Sequence, residues 1–194
     1  MAKLESSLKN MILSLFLISL VMSAALGIVY TITKEPIKLS DKKAEIDALK
    51  NVLPAFDNDP TKDAKEIEGL TYYIGRQSGK IAGYAIKTFT DKGFAGHFEL
   101  MVGILPDGSI TKIAVLSQKE TPGLGDKMTT NWKDQFNGKN PKDFKLQVKK
   151  DGGDVDAITA STISSRAFCD ATQKAYDGFI KNYATKENKG GPRE

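Results

Sequence analysis

Residues 11–33 read M-I-L-S-L-F-L-I-S-L-V-M-S-A-A-L-G-I-V-Y-T-I-T, without one charged side chain. As a helix rising about 1.5 Å per residue, this run spans roughly 35 Å and can cross a bilayer with some tilt. A secretory signal is the competing reading, with Lys3 and Lys9 as its charged end and residues 23–25 (S-A-A) as its cleavage site. The apolar run continues to Ile32, well past that site, which favours a single-pass membrane anchor with Tyr30 at the interface. Charge leaves the orientation open. Lys3 and Lys9 precede the span, within a short N-terminal segment (1–10), whereas Lys34, Lys38, Lys42 and Lys43 follow it.

Past the span, the pattern predicts an α+β domain. Pro36 is expected to stop the membrane helix. Residues 41–53 then read as a separate short helix, with Asp41 as cap and Ile46, Leu49, Val52 and Leu53 on one face. Residues 34–66 therefore form a linker with one short helix. From Leu70 to Ser117 the apolar period becomes two. Residues 70–76 and 80–88 flank Q-S-G, and residues 98–105 and 109–117 flank P-D-G, which gives two hairpins and an antiparallel sheet. The link D-K-G-F-A-G (91–96) carries two glycines that let backbone approach a neighbour. Residues 129–136 read as a short helix carrying Trp132, and residues 144–148 as a further strand. Gly152 and Gly153 make a turn before residues 156–165, behind which runs a long amphipathic segment, 166–184. Its Phe168, Ala171, Ala175 and Phe179 form a stripe for packing on a sheet. The domain thus extends over 67–184, and the charged, Gly-rich 185–194 reads as a disordered tail.

Composition removes several function classes. The net charge is +4, with Lys and Asp/Glu interspersed and no basic stripe, so nucleic acid is a poor partner. A single cysteine, Cys169, excludes an internal disulfide and a cysteine-ligated iron–sulfur cluster, and reads as a small buried hydrophobe. A single histidine, His97, excludes a His-rich metal site. No G-x-G-x-x-G follows a strand and no G-x-x-x-x-G-K-[ST] occurs, leaving NAD and ATP without a visible site. Chemistry here uses a bound cofactor or no cofactor at all.

Two stretches carry the functional signal. The first is D-A-I-T-A-S-T-I-S-S (156–165), with five hydroxyl side chains between Thr159 and Ser165. Such a corner before a helix can be an over-supplied cap, since Ser and Thr oxygens satisfy unpaired helix N–H groups. It can equally be a phosphate site, where free N–H groups, hydroxyls and the positive end of the helix dipole converge. The second is E-T-P-G-L-G-D-K (120–127), a turn-rich loop whose Gly123 and Gly125 permit close approach of backbone.

The pattern D-x-[IV]-[ST]-[GA]-x-T, here ending at Thr162, resembles the flavinylation motif of FMN-binding domains in two related membrane complexes. One is the G subunit of the Rnf ferredoxin:NAD oxidoreductase, the other the C subunit of the sodium-translocating NADH:quinone oxidoreductase. The T-P-G-L-G loop and the G-F-A-G-H-F-E-L stretch (93–100) resemble the same family, and anchor, sheet, loop, motif and final helix follow in its order. The departures are Ala160 and Ser161, where Gly-Ala is more usual.

The resemblance implies FMN joined by a phosphoester to Thr162, with Thr159, Ser161, Ile163, Ser164 and Ser165 around the phosphate. It also places Thr121, Pro122, Gly123, Leu124 and Gly125 near the ring. Asp156 repels a phosphate and serves the modification step or the turn instead. Contacts of His97 and Trp132 with the flavin stay open. On this reading the chain has no catalytic residue or metal of its own. It is the electron-carrying part of an ion-translocating oxidoreductase in the inner membrane, with its domain on the outer, periplasmic side. Its partners are the other subunits, notably the flavin-carrying D subunit, and a flavin transferase. The short chain and compact loop favour the G subunit over the C subunit. A membrane-anchored sensor or assembly module, and a domain that never receives flavin, are the rival readings.

Overall fold

The computed structural model describes residues 7–184. The chain divides into two compact units, Met1–Ala44 and Glu45–Glu194. In the first, the described residues from Leu8 onward are helical, and the apolar side chains from Met11 to Ile32 are exposed. This helix, α1 (Leu8–Val52), is long and apolar enough to cross a membrane.

α1 does not stop at Pro36. Proline removes one bond, that to the carbonyl of Ile32, and crowds the preceding turn, a local cost of about 3 kcal/mol. Long helix-forming flanks carry the chain through it. Asp41 is consequently an interior residue rather than a cap, and the expected separate helix 41–53 is the end of α1.

The second unit is built on a five-stranded antiparallel sheet: β1 (Lys65–Ile67), β2 (Leu70–Gln77), β3 (Lys80–Gly93), β4 (Gly96–Ile104) and β5 (Ile110–Ser117). The strands lie in sequence order, each paired with its neighbour, so tight turns suffice throughout. β1 is too short and polar to reveal a period of two in the sequence.

Alternation along the strands gives the sheet two apolar faces. On one, Tyr72, Tyr84, Ile86, Phe98, Leu100, Val102 and Ile104 pack against α2 (Thr162–Phe179). The expected stripe of α2 is buried there, with Phe168, Ala171, Ala175 and Phe179 all at most 1% exposed. Each buried Phe contributes about 1.5–3 kcal/mol by leaving water. On the other face, Ala48, Leu49, Val52 and Leu53 cover Tyr73, Ala85, Met101 and Ala114. Ile46, expected on that face, stays exposed.

Between β5 and α2 the chain is irregular. The expected helix 129–136 is two 3-10 turns, Gly125–Thr129 and Asn131–Phe136. They are parted by Thr130, whose extended backbone and hydroxyl cap the second. The expected strand 144–148 does not form; only Val148 bridges to Val155. Leu146 and Val148 are buried there as single side chains between polar neighbours. The expected tail, 185–194, lies outside the described residues, as do Lys3 and most of the short N-terminal segment.

Gly103 is where the second face meets the helix end. A Cβ there would lie 2.2 Å from the carbonyl oxygen of Val52 and from the hydroxyl of Thr111, which donates to that carbonyl. Gly103→Ala should therefore destabilise the second unit by about 2 kcal/mol or more. Urea unfolding of the purified protein in detergent, followed by Trp132 fluorescence, measures this.

Candidate functional site

The packing of α2 along the sheet brings its N-terminus beside the β3–β4 turn and the loop after β5. These three segments enclose a cavity of about 320 Å³, within the range of small-molecule sites. Phe94 comes from the turn, Glu120, Thr121, Leu124 and Gly125 from the loop, and residues 160–164 from the entry to α2. The two stretches singled out in the sequence therefore form opposite walls of one space.

The hydroxyl run sorts itself by hydrogen bonding. Ser165 is fully buried; its Oγ accepts the N–H of Ile158 (2.9 Å) and donates to the carbonyl of Ser161 (3.0 Å). Ser164 Oγ donates to Glu120 Oε2 at 2.7 Å. Thr159 is exposed and lies outside the cavity. Thr162, half-buried in the cavity wall, has no hydrogen-bond partner for its hydroxyl among the described residues. Ser161, at the N-cap, makes no side-chain capping bond. The amide of Ser165 returns to Ser161, but those of Thr162, Ile163 and Ser164 find no acceptor among the described residues. Three free N–H groups and an unengaged hydroxyl thus share one helix end.

Ala160 explains one departure from the motif. Its φ of 62° lies in the left-handed region, which costs a residue with a Cβ about 1 kcal/mol. Glycine adopts this conformation freely, so the glycine usual there has a conformational reason.

Among the described residues Glu120 is the one buried side chain of the Asp, Glu, Lys, Arg and His class, at 5% exposure, and it has no cationic partner. Both its oxygens accept hydrogen bonds: Oε1 from the Ala95 N–H (3.1 Å) and Oε2 from Ser164. Gly125 is glycine because a Cβ there would lie 2.5 Å from Glu120 Oε2 and 2.8 Å from Ser164 Oγ. Its role is thus to admit the carboxylate. Gly123, with φ 76°, makes the turn and stays exposed with Pro122, and neither lines the cavity.

The mouth is apolar. Phe94 (69% exposed), Ile163 (50%) and Leu124 (39%) are, with Ile46, the large hydrophobic side chains that the described part of the second unit leaves exposed. Such a patch marks a binding surface. Sequence reasoning missed Phe94, Glu120 and Ala160; the exposed aromatic between two glycines in G-F-A-G was the available signal.

Other candidates fall elsewhere. Asp156 pairs with Lys149 (2.7 Å), while its carbonyl accepts the Trp132 Nε1–H (2.7 Å). Trp132 sits edge-on to Phe136 and Phe168. His97 bonds to Asp91 (2.7 Å) and stacks on Phe89. None of the three lines the cavity. Arg166 forks onto Asp151 with two 2.7 Å bonds that hold the Asp151 carboxyl below its usual range. Burial pushes the Cys169 thiol up to about 12, so it stays protonated at neutral pH.

A family model described as the FMN-binding domain matches residues 93–177, a range that includes all three walls of the cavity. The G subunit of the Na(+)-translocating ferredoxin:NAD(+) oxidoreductase complex of Acetobacterium woodii is 38% identical, covering 80% of this chain and 83% of that protein. The G subunit of the ion-translocating oxidoreductase complex of Aliivibrio fischeri is 32% identical over 88% and 89%, and that of Vibrio cholerae 30% identical over 95% of each.

Relief of the Ala160 strain is measurable. Ala160→Gly should leave stability unchanged or raise it by up to about 1 kcal/mol, against the loss of about 0.5–1 kcal/mol usual for Ala→Gly. Thermal unfolding of the two proteins side by side decides it.

Proposed function

Since this chain belongs to the family of G subunits of ion-translocating oxidoreductase complexes, we propose that it is a membrane-anchored flavoprotein that relays electrons between neighbouring subunits through FMN bound covalently to Thr162. The observation that carries this reading is the free Thr162 hydroxyl, at a helix N-terminus, in a cavity with no lysine or arginine among the described residues of its wall.

A phosphate held without a covalent bond is ordinarily matched by Arg or Lys. Here the lining offers only amides, hydroxyls and one carboxylate. The helix dipole and three amides offset the charge of a phosphodiester in part, and the bond to Thr162 prevents its loss. Forming that bond joins Thr162 Oγ1 to phosphorus, releases the hydroxyl proton and breaks the phosphoanhydride of an activated flavin nucleotide. A flavin transferase performs it. Bound FMN supplies one- and two-electron redox chemistry. Phe94, Leu124 and Ile163 give its ring an apolar seat at the mouth, open enough for exchange with a partner protein. Thr162 is a tether and takes no part in turnover.

On this reading α1 is the single membrane span, residues 11–33 lie in the bilayer, and residues 67–184 form the flavin domain on the outer face, beside the flavin-carrying D subunit. The chain has no small substrate of its own and works as part of the complex.

In a host that carries the flavin transferase, the protein band should fluoresce in a denaturing gel, and intact mass should show one FMN per chain. Thr162→Ala should lose both signals with an unchanged circular dichroism spectrum; retained fluorescence would place the linkage elsewhere. Protease added outside intact spheroplasts should digest the domain, and full protection would refute the outer-face assignment.

A further inference from the structure

The flavin tether leaves Glu120 unexplained. Burying a carboxylate without a cation is costly, and proteins accept that cost chiefly where the group has work to do. Glu120 contacts each wall of the cavity. It stands in the loop, takes the Ala95 N–H from the β3–β4 turn (3.1 Å) and takes the Ser164 hydroxyl from the first turn of α2 (2.7 Å). Ser164 lies 44 residues further along the chain. Two glycines are shaped around this carboxylate. A Cβ at Gly93 would lie 2.6 Å from Oε1, and one at Gly125 would lie 2.5 Å from Oε2. Phe98, fully buried, would lie 3.0 Å from the same Cβ at Gly93. Among the described residues Glu120 is also the sole charged side chain lining the cavity.

We propose that Glu120 is a positioning residue of the flavin site, one that clamps turn, loop and helix into a single geometry and whose charge makes the bound flavin harder to reduce. This rests on the reading that FMN occupies the cavity on Thr162. The clamp acts through Ser164, two residues from the tether, so it fixes the helix end that presents the Thr162 hydroxyl to the transferase. The electrostatic effect follows from sign alone. An electron added to the ring meets a buried carboxylate of like charge, with no cation among the described residues of the wall to offset it.

Three full-length proteins co-expressed with a flavin transferase test this: wild type, Glu120→Gln and Glu120→Ala. Glutamine keeps the acceptor for Ala95 and offers its amide N–H to Ser164 Oγ, so it preserves the clamp and removes the charge. Its covalent FMN content should stay within about twofold of wild type, and its flavin midpoint potential should move to a less negative value. Alanine loses the clamp, and its FMN content should fall several-fold, a loss that glutamine restores. An unchanged potential in the Gln variant overturns the proposal, whether or not the Ala variant folds, and so does full flavinylation of the Ala variant. A purely structural role for Glu120 would alter stability without moving the potential of the Gln variant. Wild-type protein that takes up no FMN overturns the flavin reading itself, which separates the two failures.

Discussion

A five-stranded meander presents two apolar faces to water, and among the described residues two α-helices do most of the covering. Everything else follows from that constraint. α2 takes one face along its length through Phe168, Ala171, Ala175 and Phe179. The last turns of α1 take the other through Leu49 and Val52, where Gly103 lets the helix end touch the sheet. The anchor helix thus contributes its end to the core of the domain. With α2 fixed by apolar burial, its N-terminus has one place to go, the end of the sheet where the β3–β4 turn and the loop after β5 also arrive.

That convergence is closed by polar contacts, although apolar burial supplies most of the stability. Glu120 ties the loop to the turn and to α2, Ser165 locks the residues leading into α2, and Arg166 forks onto Asp151 at its outer side. The first two engage Ser164 and Ser165, hydroxyls that the sequence offers as candidate ligands. What remains after structural demands are met is the unengaged Thr162 hydroxyl, three free amides and an apolar rim around one cavity.

Much of the fold is legible in the sequence because it rests on local rules. Q-S-G and P-D-G mark the hairpins, the change of period marks the sheet, and the stripe of α2 falls where a period near 3.6 puts it. The misreadings are also physical. A local rule gives Pro36 the power to end a helix, when it removes one bond, and makes residues 144–148 a strand although no sheet edge receives them. Gly125, read as a point of close backbone approach, lines the cavity and also makes room for Glu120. Glu120 escapes the local rule because nothing local distinguishes a functional Glu from a surface one, and Phe94 is marked locally only by the glycines of G-F-A-G.

The sequence by itself determined the apolar helix, the antiparallel sheet, the covering helix and the position of the hydroxyl run, since each depends on neighbours within a few residues. Within that run it offered five hydroxyls, all equally suited to a helix cap. The resemblance singles out Thr162, and the tertiary structure sorts the five by what already engages them. Ser165 is engaged by Ile158 and Ser161, Ser164 by Glu120, and Thr159 lies outside the cavity, so Thr162 keeps a free oxygen in its wall and Ser161 stands beside it at the N-cap. A hydroxyl becomes available by what its neighbours already satisfy, and the neighbour that decided Ser164 reaches it only once the sheet and α2 have packed.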